Sequence, residues 1–419
     1  MLVRKFMLWV GQVSAAERAE GAGALARAYL YADFAEPERR DAEVALYSLL
    51  DDPSPIVRKS IAEAFASAAD APHAIVLALA NDQSAISSIV LGRSPLLSDA
   101  ELIDCAAISD PFAQAAVALR PRLSGSVSAA LTEFGSREAL IALAVNSGAE
   151  IADFSLRRMI ERFGCDGDVR EALLSRPHLP AFLRSALVAA TAQALSLFVT
   201  SRSWLSVERA ERVTREARES ANIMISAESA SDCDYAGACE LAAYLRQSGQ
   251  LTAGLILRSL LSGHTTLLEA ALGELSGMPA RRVAGLIAGF RGAGFAALYN
   301  RAGLPAGLLP AFRAALEASR EFGFAGEGCH TVRLSRTIIE RVLTACEDAN
   351  EGALDGLLAL LRRFETEALR EEARVLAIDL RRPEPETNVV VPMASPEPER
   401  FGIPTIDLAA LEAEILQAA

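Results

Sequence analysis

The chain has 419 residues, of which 51% are hydrophobic, 23% charged and 6% aromatic, and its net charge is −13. This composition excludes a disordered chain, and the scatter of charges excludes a protein built mainly of membrane-spanning helices. All basic residues except Lys5 and Lys59 are arginines, but no segment is basic overall, so we expect no large phosphate-binding surface. The length suggests two or three domains.

The N-terminal segment, residues 1–13, has Arg4 and Lys5 ahead of a short apolar run. The run from Phe6 to Val10 is too short for the apolar region of a signal peptide. Its apolar residues recur at helical spacing instead. The segment therefore predicts an amphipathic first helix, and we expect a cytoplasmic protein without a membrane span.

Nearly every later segment shows apolar residues at a period of 3.6, and no stretch alternates convincingly with a period of 2. Good helix formers dominate, whereas β-branched and aromatic residues are sparse. The sequence predicts an all-α protein. We divide it into four regions: repeated helix pairs over 1–200, a helical domain that continues the array over 201–380, a linker over 381–404 and an amphipathic helix over 405–419.

The first region contains a repeated helix–turn–helix pattern. Its clearest example is a helix over Pro37–Leu50, a turn at residues 51–54 and a second helix over Pro55–Ala68. An aspartate at the turn caps the second helix, and proline cannot continue the first. Neither helix can bury its apolar face without a neighbour. We predict five such turns, 28 to 36 residues apart, at Asp52, Asp82, Asp110, Asn146 and Arg176.

These units resemble HEAT-like repeats, in which an Asp-Pro type turn joins two helices and the second helix opens with an apolar residue followed by arginine. The segment from Asp52 to Arg58 matches this pattern, and the later copies lack the arginine. The resemblance implies an α-solenoid of helix pairs, followed here by a helical C-terminal region.

The second region opens with a long charged helix over residues 204–227. Its charges alternate in sign on one face, and too few heptads follow one another for a coiled coil, which favours a solvent-facing helix over a dimerising one. We predict further helices over Tyr235–Ser248, Leu251–Leu261, Thr265–Glu274, Pro279–Phe290 and Gly294–Gly303.

Several motifs in this region are similar to those of a bacterial family catalogued as domain of unknown function 2336. The motifs are Leu251–Leu260, Leu268–Leu272, Glu274–Gly277, Ala296–Tyr299 and Arg301–Pro305, with Asp51–Pro55 and Arg93–Leu97 earlier in the chain. The resemblance spans roughly residues 1–320. It implies a helical fold, and it brings no activity and no catalytic residue.

The C-terminal 39 residues differ in composition from the rest of the chain. Residues 381–404 are rich in proline and glutamate, which is typical of an extended linker. Residues 405–419 follow as a predicted amphipathic helix with an apolar stripe of Ile406, Leu408, Leu411 and Ile415. We expect this helix to dock either on the same chain or on a partner.

The search for chemistry predicts no catalytic, cofactor-binding or metal-binding residue. The six cysteines have neither disulfide nor zinc spacing, and the glycine-rich segment 289–294 follows a helix instead of the strand that a nucleotide site requires. The most reactive pair, Cys329 beside His330, supports only a weaker alternative, a thiol or metal enzyme.

The leading interpretation is a non-enzymatic scaffold or regulatory adaptor that binds a protein or peptide. Solenoids present long surfaces suited to such partners, and tyrosine and arginine are common interface anchors. We therefore take Tyr299 and Arg301, with the stripe of the C-terminal helix, as candidate partner-binding residues. The alternative is a HEAT-like nucleic-acid-binding or DNA-repair protein with an arginine-lined concave groove.

Overall fold

The computed structural model describes residues 2–231, 235–321, 336–347 and 355–380. These residues are mainly helical and contain no β-strand, which confirms the all-α expectation. A 3₁₀ turn, Ala306–Leu308, precedes α20. The helices are α1 Leu2–Val10, α2 Ala15–Tyr31, α3 Glu36–Leu50, α4 Pro55–Phe65, α5 His73–Ala80, α6 Ser84–Arg93, α7 Asp99–Ile108, α8 Pro111–Ala118, α9 Gly125–Phe134, α10 Arg137–Val145, α11 Asp153–Phe163, α12 Gly167–Leu174, α13 Ala181–Ser201, α14 Val207–Ser231, α15 Tyr235–Gln247, α16 Ala253–Leu261, α17 Thr266–Ser276, α18 Ala280–Ala288, α19 Ala293–Arg301, α20 Leu309–Glu321, α21 Arg336–Glu347 and α22 Asp355–Leu380.

Side chains of the connecting segments explain where many helices begin. Ser14 starts α2 with a capping box, in which its hydroxyl accepts from the Glu17 backbone N–H while the Glu17 carboxylate accepts from the Ser14 N–H. Asp110 and Asp166 cap α8 and α12 in the same positions. The predicted first helices of the chain agree with α1, α3 and α4, whereas α2 was not among the predicted elements.

The helices of the first half contact one another in two alternating series. The even-numbered helices from α2 to α12 each contact the next even-numbered one, and the odd-numbered helices α7, α9, α11 and α13 do the same, as do α1, α3 and α5. Most of these helices therefore pack against the helix two positions along the chain, whereas α3 and α5 pack most closely against the adjacent helices α2 and α6. Their apolar faces form one core that runs from Val3 to Leu187.

A ladder of polar bonds joins these helices. Each rung runs from a side chain of one even-numbered helix to the turn just before the next even-numbered helix. Arginine forms three of the rungs, serine one and glutamine one. The rungs are Arg18 to Asp52, Arg58 to Asp82, Ser84 to Asp110, Gln114 to the Ser136 N–H and Arg137 to Asp166.

Two of these rungs have the strongest geometry. The Arg18 and Arg58 guanidinium groups each donate two bonds to one carboxylate, at 2.7 and 3.0 Å to Asp52 and at 2.6 and 3.0 Å to Asp82. Arg58 also donates to the Asp52 carbonyl oxygen at 2.6 Å. Arg18 lowers the pKa of the Asp52 carboxyl, so this group stays ionised in the fold.

The ladder corrects two of the predicted turns. Asn146 and Arg176 follow α10 and α12, whereas the turns that match Asp52, Asp82 and Asp110 are Ser136 and Asp166. The matching turns are therefore 26 to 30 residues apart, without the irregular gap that the sequence suggested. Asn146 and Arg176 instead donate to carbonyl oxygens at the ends of earlier helices, including Ala118 and Ala144.

Residues Met1–Glu371 form one compact unit, and the second, Glu372–Ala419, is described only at residues 372–380. The first unit has a second large core, from Ile256 to Ala368, built by helices α16 to α22. A small cluster that includes Ala181, Ile223 and Leu241 lies between the two in the sequence. The helices α13 to α15 thus connect two cores.

We expect Arg58→Ala to destabilise the fold, because it leaves the Asp82 carboxylate and the Asp52 carbonyl without their donor. Both charged groups of the pair are mostly buried, with 18% and 15% of their side chains exposed. The free energy of unfolding in urea should fall by about 1–3 kcal/mol. The adjacent Lys59→Ala, which breaks an exposed pair with Glu63 at 3.7 Å, should cost less than about 0.5 kcal/mol. Equal losses in both variants would contradict a ladder that holds the helices.

Candidate functional site: an apolar hairpin and an adjoining cavity

The helix α13 consists of a buried part and an exposed part. Its first seven residues, 181–187, belong mostly to the core, whereas Leu195, Leu197 and Phe198 are 52%, 61% and 47% exposed. No residue from 185 to 201 is charged. By length and composition α13 could cross a membrane, although 28% of its most apolar window is buried in the fold. Core helices of globular proteins also meet that test, and the first part of α13 is such a core segment.

The turn after α13 sends the chain back as α14, and the two helices form a hairpin. Ser203 adopts a left-handed conformation with φ of 58°, and the N–H groups of Ser203 and Trp204 donate to the Thr200 and Val199 carbonyls at 3.0 Å. This is a Schellman motif with serine where glycine is usual. It places the Trp204 ring edge-on against Phe198, at 5.5 Å, with 66% of the tryptophan exposed.

One face of the hairpin holds an apolar groove of about 490 Å³ between α13 and α14. Its apolar lining residues follow one another in steps of one, three and four along both helices, which includes the spacing of a coiled-coil seam. Arg184, Arg218 and Glu228 also line the groove. The apolar residues are Leu187, Val188, Ala192 and Leu195 on α13, and Val213, Ala217, Ala221, Met224 and Ile225 on α14.

Two polar contacts hold the inner end of the hairpin. The Ser185 hydroxyl donates to the Asn222 side-chain oxygen at 2.7 Å, and both residues are buried. Arg184 forms an ion pair with Glu228. The two helices are therefore joined where they leave the core, and the exposed apolar residues lie farther out.

A cavity of about 800 Å³ lies among α11, α13, α14 and α15. Arg157, on α11, places its guanidinium over the rings of Phe182 and Tyr244, at 5.3 and 5.9 Å from their centroids. Arg218, on α14, lines both this cavity and the apolar groove. Burial raises the pKa of Tyr244, and the charges of Arg157 and Arg218 oppose that shift. The cavity is therefore lined by the guanidinium groups of Arg157 and Arg218 and by the aromatic ring of Tyr244.

A buried charge cluster secures the inner part of α14. Arg258, on α16, is 2% exposed and pairs with Glu219 of α14 at 3.4 Å and with Glu367 of α22. Its guanidinium also lies 5.6 Å from the centroid of the Phe364 ring. Burial raises the pKa of Glu219. Every charge of the cluster has a partner, so we assign it a structural role.

The structure separates the two predicted anchors near residue 300. Tyr299 is fully buried, and its hydroxyl donates to the Pro305 carbonyl at 2.9 Å, so this ring packs the core and is not available to a partner. The prediction that Tyr299 binds a partner is wrong, because the sequence does not distinguish a helical tyrosine in a core from one on a surface. Arg301 is exposed, and its Nε donates to the Ser276 carbonyl at 2.9 Å.

The remaining candidates lie outside the described residues. They are Ile406, Leu408, Leu411 and Ile415 of the C-terminal stripe, and Cys329 with His330. Among the residues that the structure does describe, no group of three metal-ligating side chains is close enough to hold an ion.

Many arginines of the first half are engaged by the fold itself. Besides the ladder, Arg120, Arg162 and Arg176 donate to backbone carbonyls that end earlier helices. Burial lowers the pKa of all three. Guanidinium groups held in this way are not available to phosphates, which weakens the nucleic-acid alternative.

No residue of the hairpin is predicted from the sequence as a functional residue, although the sequence contains a signal for it. The uncharged run 185–201 stands directly before the strongly charged helix α14. An apolar helix that is half outside the core is recognised only when its burial is known, because its composition is that of a core helix.

Comparison with known proteins gives one match. A family model described as an uncharacterised protein conserved in bacteria (DUF2336) covers residues 86–352. The chain belongs to this family. The match includes the whole hairpin and the whole cavity of this DUF2336 protein, but it does not reach the Asp51–Pro55 turn that contributed to the resemblance seen in the sequence. No curated protein and no solved structure matches the chain.

The cysteines offer a direct check of the cavity. Cys165 is an exposed free thiol that lines it, whereas Cys105 is 3% exposed and burial raises its pKa. At pH 8 we expect iodoacetamide to modify Cys165 at least about ten times faster than Cys105, because the thiolate is the reactive form. Peptide-resolved mass spectrometry measures both rates. Comparable rates at the two thiols would contradict the described burial.

Proposed function

We propose that this DUF2336 protein is a non-enzymatic, cytoplasmic helical repeat protein that acts as a protein–protein interaction scaffold or regulatory adaptor. The observation that carries the proposal is the hairpin of α13 and α14, which exposes apolar and aromatic side chains on a rigid base. Trp204, Leu197 and Val207 are each more than 60% exposed. Large exposed apolar patches on soluble proteins usually mark binding surfaces.

The proposal includes a HEAT-like solenoid for the first half. The alternating helix contacts and the regular ladder support it, because each rung repeats the same relation between successive helix pairs. Such arrays depend on nearest-neighbour contacts and present their outer elements to partners.

The partner that suits the hairpin groove best is an amphipathic helix with acidic flanks. The groove has apolar residues at coiled-coil spacing on two neighbouring helices, which matches the helix-in-groove mode of recognition. Residues 202–215, at the outer end of the hairpin, carry four arginines and two glutamates in a chain whose net charge is −13. This local excess of positive charge favours an acidic partner.

The test replaces one groove residue and one matched surface residue. Leu195→Glu puts a charge into the groove, whereas Phe154→Glu makes the same change at another exposed apolar residue, on α11, that does not line it. We expect Leu195→Glu to weaken partner binding at least about tenfold, since it removes about 1.5–3 kcal/mol of apolar burial, and Phe154→Glu to leave it unchanged. Quantitative affinity capture identifies the partner, and titration with purified components measures the affinity.

Two results would overturn the proposal. One is equal binding by the wild type and Leu195→Glu. The other is a wild-type dimer in sedimentation that Leu195→Glu dissociates, because a second copy of the chain would then occupy the groove. Cross-linking must also locate the partner segment, and a segment that is not an acidic amphipathic helix contradicts the assigned chemistry.

The C-terminal stripe is tested separately in the full chain. We propose that residues 405–419 give a second point of attachment, on the same chain or on a partner. The double variant Leu411→Asp with Ile415→Asp removes its apolar character. A loss of partners in this variant, but not in Leu195→Glu, assigns recognition to the C-terminal segment instead of the hairpin.

A further inference from the structure

We propose that the cavity among α11, α13, α14 and α15 is a binding site for a small organic carboxylate with an apolar body. This site adjoins the proposed docking groove: the two share α13 and α14, and Arg218 lines both. Its volume of about 800 Å³ lies within the range of small-molecule sites, about 300–1,000 Å³.

Three arginines line the cavity, and because Arg162 donates to the backbone carbonyls of Thr132 and Gly135, the positive charge left for a ligand comes from the other two. Arg157 and Arg218 both line the cavity, and among the described residues neither has an ion pair or a hydrogen bond to a carboxylate. This distinguishes them from Arg18, Arg58 and Arg137, whose guanidinium groups the ladder occupies. An unpaired guanidinium on the wall of a cavity that is open to solvent is suited to a carboxylate, which it binds through two parallel bonds.

The surroundings hold the Arg157 guanidinium over its aromatic neighbours. It lies over the Phe182 and Tyr244 rings, and cation–π contacts of this kind restrict a side chain without using its N–H donors. Glu161, the acidic residue that lines the cavity, already pairs with Arg158 at 3.3 Å. The two free arginines therefore outweigh the acidic charge at the site.

The rest of the lining indicates an organic ligand instead of an inorganic anion. The apolar wall consists of Ile160, Ala186, Ala189, Ala190 and Leu197. The side-chain oxygen of Gln250 is buried without a hydrogen-bond partner, and Gln250 also lines the cavity. Because a buried acceptor without a donor is costly, a hydroxyl or N–H group on the ligand would satisfy it. The ligand class is thus a carboxylate with an apolar body and one further donor.

The probe for this class is 6-hydroxy-2-naphthoate, and its carboxamide is the neutral control. Isothermal titration of the full chain should show binding of the carboxylate, and the carboxamide should bind at least about tenfold more weakly. The double variant Arg157→Gln with Arg218→Gln should lose at least about tenfold in affinity for the carboxylate. The double variant Arg281→Gln with Arg282→Gln, which makes the same charge change at two exposed residues of α18, should bind as the wild type does.

Three results would overturn the inference: no binding of the carboxylate at millimolar concentration, equal binding of the carboxamide, or equal losses in both double variants. Circular dichroism and the alkylation rate of Cys165 confirm that the variants are folded. Leu195→Glu should keep its affinity for the carboxylate, since Leu195 does not line the cavity. The two experiments can therefore fail separately. Unchanged partner binding by Leu195→Glu does not contradict the carboxylate site, and absence of carboxylate binding does not contradict the docking groove.

Discussion

The packing of helices in the first half of the protein depends on the rungs of the ladder, which are hydrogen bonds and ion pairs between one even-numbered helix and the turn before the next. In four of the five rungs a donor on an even-numbered helix satisfies a carboxylate of the following turn, and in the fifth the Gln114 side-chain oxygen accepts from the Ser136 N–H. Asp166 accepts from Arg137 while it accepts from the Val169 N–H at the start of α12. At Asp166 one carboxylate therefore both caps a helix and joins it to an earlier one, so replacing this residue would remove both bonds.

This arrangement also determines which charges remain for function. Arginine is abundant in this protein, but the guanidinium groups of the first half largely bind carboxylates and helix-end carbonyls of the same chain. Arg157 and Arg218, which line the cavity, are in a different position, because within the described part of the chain neither forms an ion pair with a carboxylate. Polar groups without a partner and apolar surface without a packing neighbour are the features that mark binding sites.

The fold class and many helix positions follow from the sequence, because a 3.6-residue period and helix-forming composition are local properties. Only part of the ladder can be predicted from the sequence. Asp52 and Arg58 have the expected chemistry, whereas Ser84 donates a hydroxyl and Gln114 accepts through its side-chain oxygen, so a search for arginine does not find these two rungs. Burial of a side chain is the property that is hardest to predict from the sequence. Tyr299 belongs to the core and Trp204 lies on the surface, and the spacing of apolar residues around them does not distinguish the two cases.

The anchoring of the hairpin has a thermodynamic consequence. The start of α13 packs in the first core through Phe182 and Leu183, while Glu219 of α14 is tied through Arg258 to the helices of the second core. A molecule held between α13 and α14 thus requires both cores to be folded at once. By linkage, its binding free energy would be shared by the two halves, so their unfolding transitions would move to higher temperature together.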